Sequence, residues 1–416
     1  MTKNPVKLSI CIPTYNRSGF LRRSLEYYLE EIDFPFTYEI VISDNASTDD
    51  TRDVVDSFIA AGLPINYVRR NENGGYEPNL ISALRLARGE YAVYVGDDDR
   101  LIAEGVADVV SYLDRNADVN ACYAPWYLYN EIEGRDDGTF YRIDQDVKFA
   151  PRDFRAVFDF ITQRHIFPEV YVYRSATLRS AMVPRHFCYW AFSHLAHFVD
   201  AGAIAFLEKP FYRAVIASAH RDRAQAGHEE TMTSWDRYRG GLEYFLYMGV
   251  RRDAIELTGG QGVEYDKLVR QFTFSRMIVA LKLWLGRSDY MRAYELYVRL
   301  VMNGFGGHPD VQNLRDKLPR MVALQTLAGL ANATAGIDRL ILHGITNKDA
   351  VESMLRRLGL KDGIVIVDEN DAPSDEDLNR TAVLVPGDGD RFRYVEKGYI
   401  PNLVLKEADI VAPVVV

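Results

Sequence analysis

The stretch from Ala87 to Leu101 constrains the chain most. Tyr91 to Val95 is an aromatic and β-branched run of strand length, rich in residues that fit a buried pleated surface. It follows a helical segment that closes at Gly89, a residue that accepts the left-handed turn at a helix end. The strand then runs straight into Gly96-Asp97-Asp98-Asp99. Three adjacent carboxylates repel one another, and an exposed cation relieves the repulsion. Ligands of open α/β sheets sit outside the carboxyl ends of the strands. Oxygen-only donors in that place suit Mg²⁺ or Mn²⁺ carrying substrate phosphates. Taken alone, the triplet is equally well a solvated acidic turn, so what lies upstream decides.

Upstream, short apolar runs alternate with amphipathic ones. Lys7 to Ile12 is a strand ending in the turn Pro13-Thr14-Tyr15-Asn16-Arg17, where Pro and Asn punctuate. A helix follows, with apolar positions at Phe20, Leu21, Leu25 and Tyr28. Tyr38 to Ser43 is a second strand, Asp50 to Ala61 a helix, Ile65 to Val68 a third strand, and Pro78 to Ala87 a helix. This β-α alternation predicts an α/β fold, a mostly parallel sheet with helices on both faces. No G-x-G-x-x-G follows the first strand and no P-loop is present, which disfavours a dinucleotide-binding domain.

The motifs Pro13-Thr14-Tyr15-Asn16-Arg17, Ser43-Asp44-Asn45-Ala46-Ser47-Thr48-Asp49, Asn73-Gly74-Gly75 and Arg88-Gly89-Glu90-Tyr91 through Gly96-Asp97-Asp98-Asp99 occur in this order. Together they resemble the family 2 glycosyltransferases over roughly residues 6 to 125. The resemblance implies a GT-A fold and inverting transfer from a nucleotide-diphosphate sugar, a UDP-sugar favoured, to a glycan, lipid-linked or protein hydroxyl. Surface polysaccharide or glycoconjugate synthesis is the implied setting. It assigns the donor to Pro13, Thr14, Tyr15, Arg17, Asp44, Asn73 and Asp97, with Asp44 accepting from the base. It assigns Mn²⁺ or Mg²⁺ to Asp98, with Asp99 assisting and His220 completing the site. Arg221 and Arg223 would clamp the diphosphate through their forked donors. The family often has an acid where Gly96 stands, leaving the division of labour among the aspartates open.

An inverting transferase needs a general base for the acceptor hydroxyl. The family usually places an Asp or Glu on the helix before the last strand, yet Tyr189 to Phe198 contains no acid. His194 is the first candidate, since neutral imidazole suits the task near pH 7. Glu169 is the second and Asp200 the third. A nucleotidyltransferase and an inactive sugar-nucleotide-binding module are the rival readings.

Beyond this domain, residues 1–225, the chain reads as a helical segment, 226–336, and a small Rossmann-like α/β domain, 337–416. For the last, an interaction or oligomerisation role is the default. Arg320 to Gly336 is expected to pack as core, with a membrane-surface position as the alternative. The net charge of −10 argues against nucleic acid as the main partner. Three scattered cysteines, Cys11, Cys122 and Cys188, give no disulfide framework and fit a reducing cytoplasm. Met1 to Leu8 has no apolar h-region, and no apolar run reaches transmembrane length, so neither a signal peptide nor a membrane span is expected.

Overall fold

The structure is a computed structural model describing residues 5–179, 187–219, 235–315, 317–344 and 347–411. Contacts divide the chain into two compact units: the described residues of 1–228 and 234–273, and those of 274–416.

The first unit opens with β1 (Leu8–Thr14), α1 (Ser18–Glu31), β2 (Tyr38–Asp44), α2 (Thr51–Ala60), β3 (Ile65–Arg69), α3 (Tyr76–Leu86) and β4 (Tyr91–Tyr94). Every residue of β1 is buried, as befits a strand covered on both faces. The four strands are parallel, and their register sets Thr14 beside Asp44 and Asp44 beside Arg69. The ends of β1, β2 and β3 therefore share one level, where the polar motifs emerge.

The chain continues through β5 (Arg100–Leu101), α4 (Ala103–Arg115), β6 (Val119–Tyr123), β7 (Tyr127–Asn130), β8 (Arg135–Thr139), β9 (Val147–Phe149) and α5 (Phe154–Gln163). Then come β10 (Tyr171–Arg174), α6 (Ser175–Arg179), α7 (Trp190–Ala201), β11 (Ala203–Phe206), β12 (Tyr212–Ala217) and α8 (Trp235–Arg251). The large sheet has the order β3-β2-β1-β4-β10-β6-β11-β9, and a smaller one the order β5-β12-β7-β8. β10 is antiparallel to both neighbours, β4 and β6.

One local expectation changes, at Gly89. The run from Ala121 to Tyr129 supplies β6 and β7, which belong to different sheets, and the polar stretch after Glu131 folds β8 back on β7 as a hairpin. Gly89 is not among the positive-φ residues. What demands glycine there is close approach: a Cβ would lie 2.7 Å from both the Ser9 nitrogen and the Tyr91 carbonyl oxygen. Helix α8 packs on α7 and α5, with Phe245 against Phe154 and Phe158, so the first helices after residue 235 belong to the first unit.

The second unit begins inside helix α9 (Gly260–Gly286) and includes α10 (Tyr290–Leu300) and α11 (Lys317–Ala333). It also holds a parallel sheet of order β14-β13-β15-β16, built from β13 (Arg339–Leu342), β14 (Val365–Val367), β15 (Thr381–Val385) and β16 (Val404–Lys406). Helix α11 buries Leu327, Ala328 and Ala331 in the same core as Leu340, Leu342 and Leu355. That packing covers the apolar face of the segment for which a membrane surface was the alternative. Among the described residues no helix is long and apolar enough to cross a membrane.

Candidate active site

The aspartate turn is held from three sides. Thr14 Oγ1, at the end of β1, donates to Asp97 Oδ2 at 2.8 Å. Arg17, in the loop that leads to α1, spans two carboxylates: Nε reaches Asp97 Oδ1 at 2.9 Å and Nη2 reaches Asp98 Oδ2 at 2.5 Å. Its side chain is only 7% exposed and lies over the Phe20 ring. Asp99 turns the other way, accepting from Tyr212 Oη at 2.6 Å and from the Val215 backbone N–H at 2.8 Å. It thereby ties the smaller sheet to the end of β4. A Cβ on Gly96 would meet Asp99 Oδ2 at 2.7 Å, which explains a glycine where an acid was anticipated.

Burial dominates the acidity of the cluster. It raises Asp97 to about 6, with Arg17 opposing, and raises Asp98. Asp99 is pushed up to about 8, first by burial and then by the charge of Asp98. One guanidinium does not balance three carboxylates, so a further cation would favour their ionisation. Among the described residues no set of three or more His, Cys, Asp or Glu is arranged to hold a metal. Among the described residues Asp98 Oδ1, however, has no partner on another side chain, while both oxygens of Asp97 and Asp99 are engaged. One carboxylate oxygen is an adequate protein share for Mg²⁺ or Mn²⁺, which take their remaining ligands from phosphates and water. The residues fit a cation that arrives with a diphosphate. His220, Arg221 and Arg223 lie outside the described residues.

At the ends of β1, β2 and β3 the two loops interlock. Asn16 and Ala46 adopt left-handed backbone, and Asn16 Oδ1 accepts from the Thr48 N–H at 2.7 Å. Asn45 Nδ2 donates to Asn73 Oδ1 at 2.7 Å, fixing the Asn73 loop. Tyr15 is 38% exposed and Pro13 is buried. Asp44 is only 1% exposed. Its Oδ1 accepts from the Ser47 N–H at 2.8 Å and its Oδ2 from Tyr67 Oη at 2.6 Å.

The three candidate bases separate clearly. His194 is 1% exposed, its Nδ1 is 2.6 Å from Tyr171 Oη, and Trp190 and Phe198 flank it. Burial lowers it to about 3. A ring sealed in the core cannot meet an acceptor hydroxyl, so the role assigned to His194 passes elsewhere. Asp200 sits at the far end of α7, about 16 Å along the axis from Tyr189, and is gripped at 2.6 Å by both Nε and Nη2 of Arg252. That pairing holds its carboxyl below the usual range. Glu169 lies in the turn two residues before β10, and the Tyr94 phenol, raised first by burial, feels the charges of Asp99, Glu169 and Asp98 together. Glu169 is half-buried, and its Oε1 accepts from Tyr189 Oη at 2.6 Å.

Tyr67, Tyr189 and Tyr212 are thus site residues that motif reading missed. The parallel pairing of β2 with β3 was the available signal for Tyr67. Tyr189 was marked only by its place ahead of α7.

Residues 9–170 match the family model for glycosyl transferase family 2. Abequosyltransferase RfbV of Salmonella typhimurium is 39% identical over 116 residues, 28% of this chain and 35% of the relative. Poly(ribitol-phosphate) beta-N-acetylglucosaminyltransferase TarS of Staphylococcus aureus is 30% identical over 113 residues, 27% of this chain and 19% of that protein. The chain therefore spans about a third or less of these relatives' length. A crystal structure of S. aureus TarS in complex with UDP-GlcNAc superposes with a TM-score of 0.50 at 17% identity, covering 79% of this chain and 88% of that one. The fold is shared: the mixed α/β architecture is that of the GT-A glycosyltransferases.

Proposed function

Because residues 9–170 match the family model for glycosyl transferase family 2, we propose that the chain transfers a sugar from a nucleotide-diphosphate donor, a UDP-sugar favoured, to a hydroxyl acceptor with inversion. The observation that carries this reading is that the aspartate turn and Glu169 share one neighbour, the buried Tyr94, on which the charges of Asp99, Glu169 and Asp98 all bear. Glu169 takes the acceptor hydroxyl proton as the hydroxyl oxygen bonds to the anomeric carbon. The bond from that carbon to the diphosphate oxygen breaks, and the electron pair leaves with the diphosphate. Tyr189 holds Glu169 in place by donating to Oε1. Asp98 Oδ1 would hold Mn²⁺ or Mg²⁺, which supplies charge neutralisation of the leaving diphosphate. Arg17 and Thr14 keep Asp97 and Asp98 oriented. The relatives' own names, an abequosyltransferase and a poly(ribitol-phosphate) glycosyltransferase, support a place in surface polysaccharide or glycoconjugate synthesis.

The test is UDP release from a panel of UDP-hexoses with and without Mn²⁺, using the protein and its Glu169→Gln and Asp98→Ala variants. Glu169→Gln should lose about 10²–10⁴ in rate and keep UDP affinity, whereas Asp98→Ala should lose Mn²⁺-dependent UDP binding. Tight, metal-dependent UDP binding without turnover of any donor–acceptor pair would favour the inactive binding module instead.

A further inference from the structure

A cleft of about 260 Å³ lies between α1 and the smaller sheet, with Asp98 in its wall. Its polar groups meet on Glu131, the residue that follows β7. Arg23 of α1 and Arg100 of β5 contact the same carboxylate oxygen, Oε1, Arg100 at 2.6 Å. Arg23 Nη1 also donates to Ser218 Oγ at 2.9 Å, and Arg100 lies over the rings of Tyr27 and Tyr129. Among the described residues Glu131 Oε2 accepts no hydrogen bond, and Nε of Arg23 and Nε and Nη1 of Arg100 find no acceptor. Ser24, next to Arg23 on α1, lines the same cleft. It is 4% exposed, and among the described residues its hydroxyl has no partner. A buried hydroxyl left so is costly, by about 1–3 kcal/mol, and a group bound in the cleft would recover that cost.

The unused groups decide what fits. In the cleft two guanidiniums, Arg23 and Arg100, stand against two carboxylates, Glu131 and Asp98. That balance selects neither an anion nor a cation. Free acceptors and free donors occur together, beside the apolar Phe20 and Val215. Neighbouring hydroxyls on a carbon chain or ring each give and take a hydrogen bond, and their C–H edges are apolar. We propose that the cleft holds a sugar or polyol unit of the acceptor other than the unit that reacts. The reacting hydroxyl must reach Glu169, and among the described residues neither Glu169 nor Tyr189 lines the cleft. A unit seated there is recognised without being glycosylated. The acceptor is therefore a chain of hydroxyl-bearing units, not an isolated hydroxyl. This inference rests on the transferase reading above and names the class of its acceptor.

The experiment is saturation-transfer NMR on the full chain with UDP and Mn²⁺ present. The probes are ribitol and the methyl glycosides of glucose, galactose, mannose, rhamnose and N-acetylglucosamine. Ser24→Ala removes the unpartnered hydroxyl, and Ser218→Phe places a ring in the cleft; thermal unfolding verifies that both variants fold. At least one probe should bind the unmodified protein. Ser24→Ala should weaken it by about threefold to tenfold, the size of one hydrogen bond, and Ser218→Phe should abolish it, with calorimetric UDP affinity unchanged in both. Binding of no probe overturns the inference with the donor reading intact, as does a probe that neither variant affects. Displacement of the probe by inorganic phosphate makes the cleft an anion site and overturns it too. Loss of the probe when UDP-N-acetylglucosamine replaces UDP gives the cleft to the donor's own sugar and overturns the acceptor assignment. No binding of UDP in the presence of Mn²⁺ removes the donor reading, and the acceptor assignment with it, whatever the probes do.

Discussion

Protonation of His194 offers a quantitative check on the core. The ring has an ordinary value of 6.5 and sits at about 3 in the folded chain, lowered by burial and then by His197. Below pH 6.5 the unfolded chain therefore binds a proton that the folded chain refuses. Stability must rise with pH through this window and be lost as pH falls from 6.5 toward 3. Each pH unit is worth about 1.4 kcal/mol once the unfolded imidazole is charged, so the loss between pH 6.5 and pH 4.5 is about 2 kcal/mol. His194→Asn keeps an acceptor for Tyr171 Oη and removes the titration. Urea unfolding of the protein and the variant at several pH values should give a stability difference that narrows by about 2 kcal/mol over that interval. In proton NMR, one of the eight histidine resonances, identified by its absence from the variant, should not move above pH 4.5. A difference that is flat with pH, or a resonance titrating near 6.5, would refute the burial argument and restore His194 as a candidate base.

Other substitutions test the remaining contacts. Arg17→Met strips the partner from two buried carboxylates and should cost about 3–5 kcal/mol, read from chemical unfolding. Gly89→Ala forces a Cβ against the backbone of β1 and should destabilise by about 1–3 kcal/mol, visible as a lower thermal midpoint. Asp200→Asn gives up an exposed pairing with Arg252 worth at most about 1 kcal/mol, and it should leave UDP-sugar turnover unchanged; a dead variant would make Asp200 the base.

The parallel core was legible because strands buried on both faces appear as mostly apolar runs, as in Leu8 to Ile12, interrupted only by Ser9, and Tyr91 to Val95. The smaller sheet was not: β5 is two residues long, and its partner β12 lies more than a hundred residues away. Nor does alternation say which way a strand runs, so the reversal of β10 was hidden. The burial of His194 did have a signal. Trp190-Ala191-Phe192 and Leu195-Ala196 around it leave α7 apolar on nearly every side, and such a helix belongs inside. At the strand ends, the motif positions were visible but their bonding was not. Asp44, Asp97 and Asp99 look alike as acids, and only the fold shows which one faces Tyr67, Arg17 or Tyr212.

The reversed strand has a consequence for how this domain can vary. Forward-running strands deliver side chains to the crevice from loops that follow them, and such loops can lengthen without moving the sheet. β10 carries Glu169 in the turn just ahead of its first residue, so the carboxylate is placed by a strand hydrogen-bonded on both sides. One residue inserted within Tyr171 to Tyr173 would shift that register and turn the strand's side chains toward the opposite face of the sheet. The same insertion in the turn between Asn130 and Arg135 would only lengthen a hairpin of the smaller sheet. Of these two neighbouring segments, one works as a ruler and the other as slack.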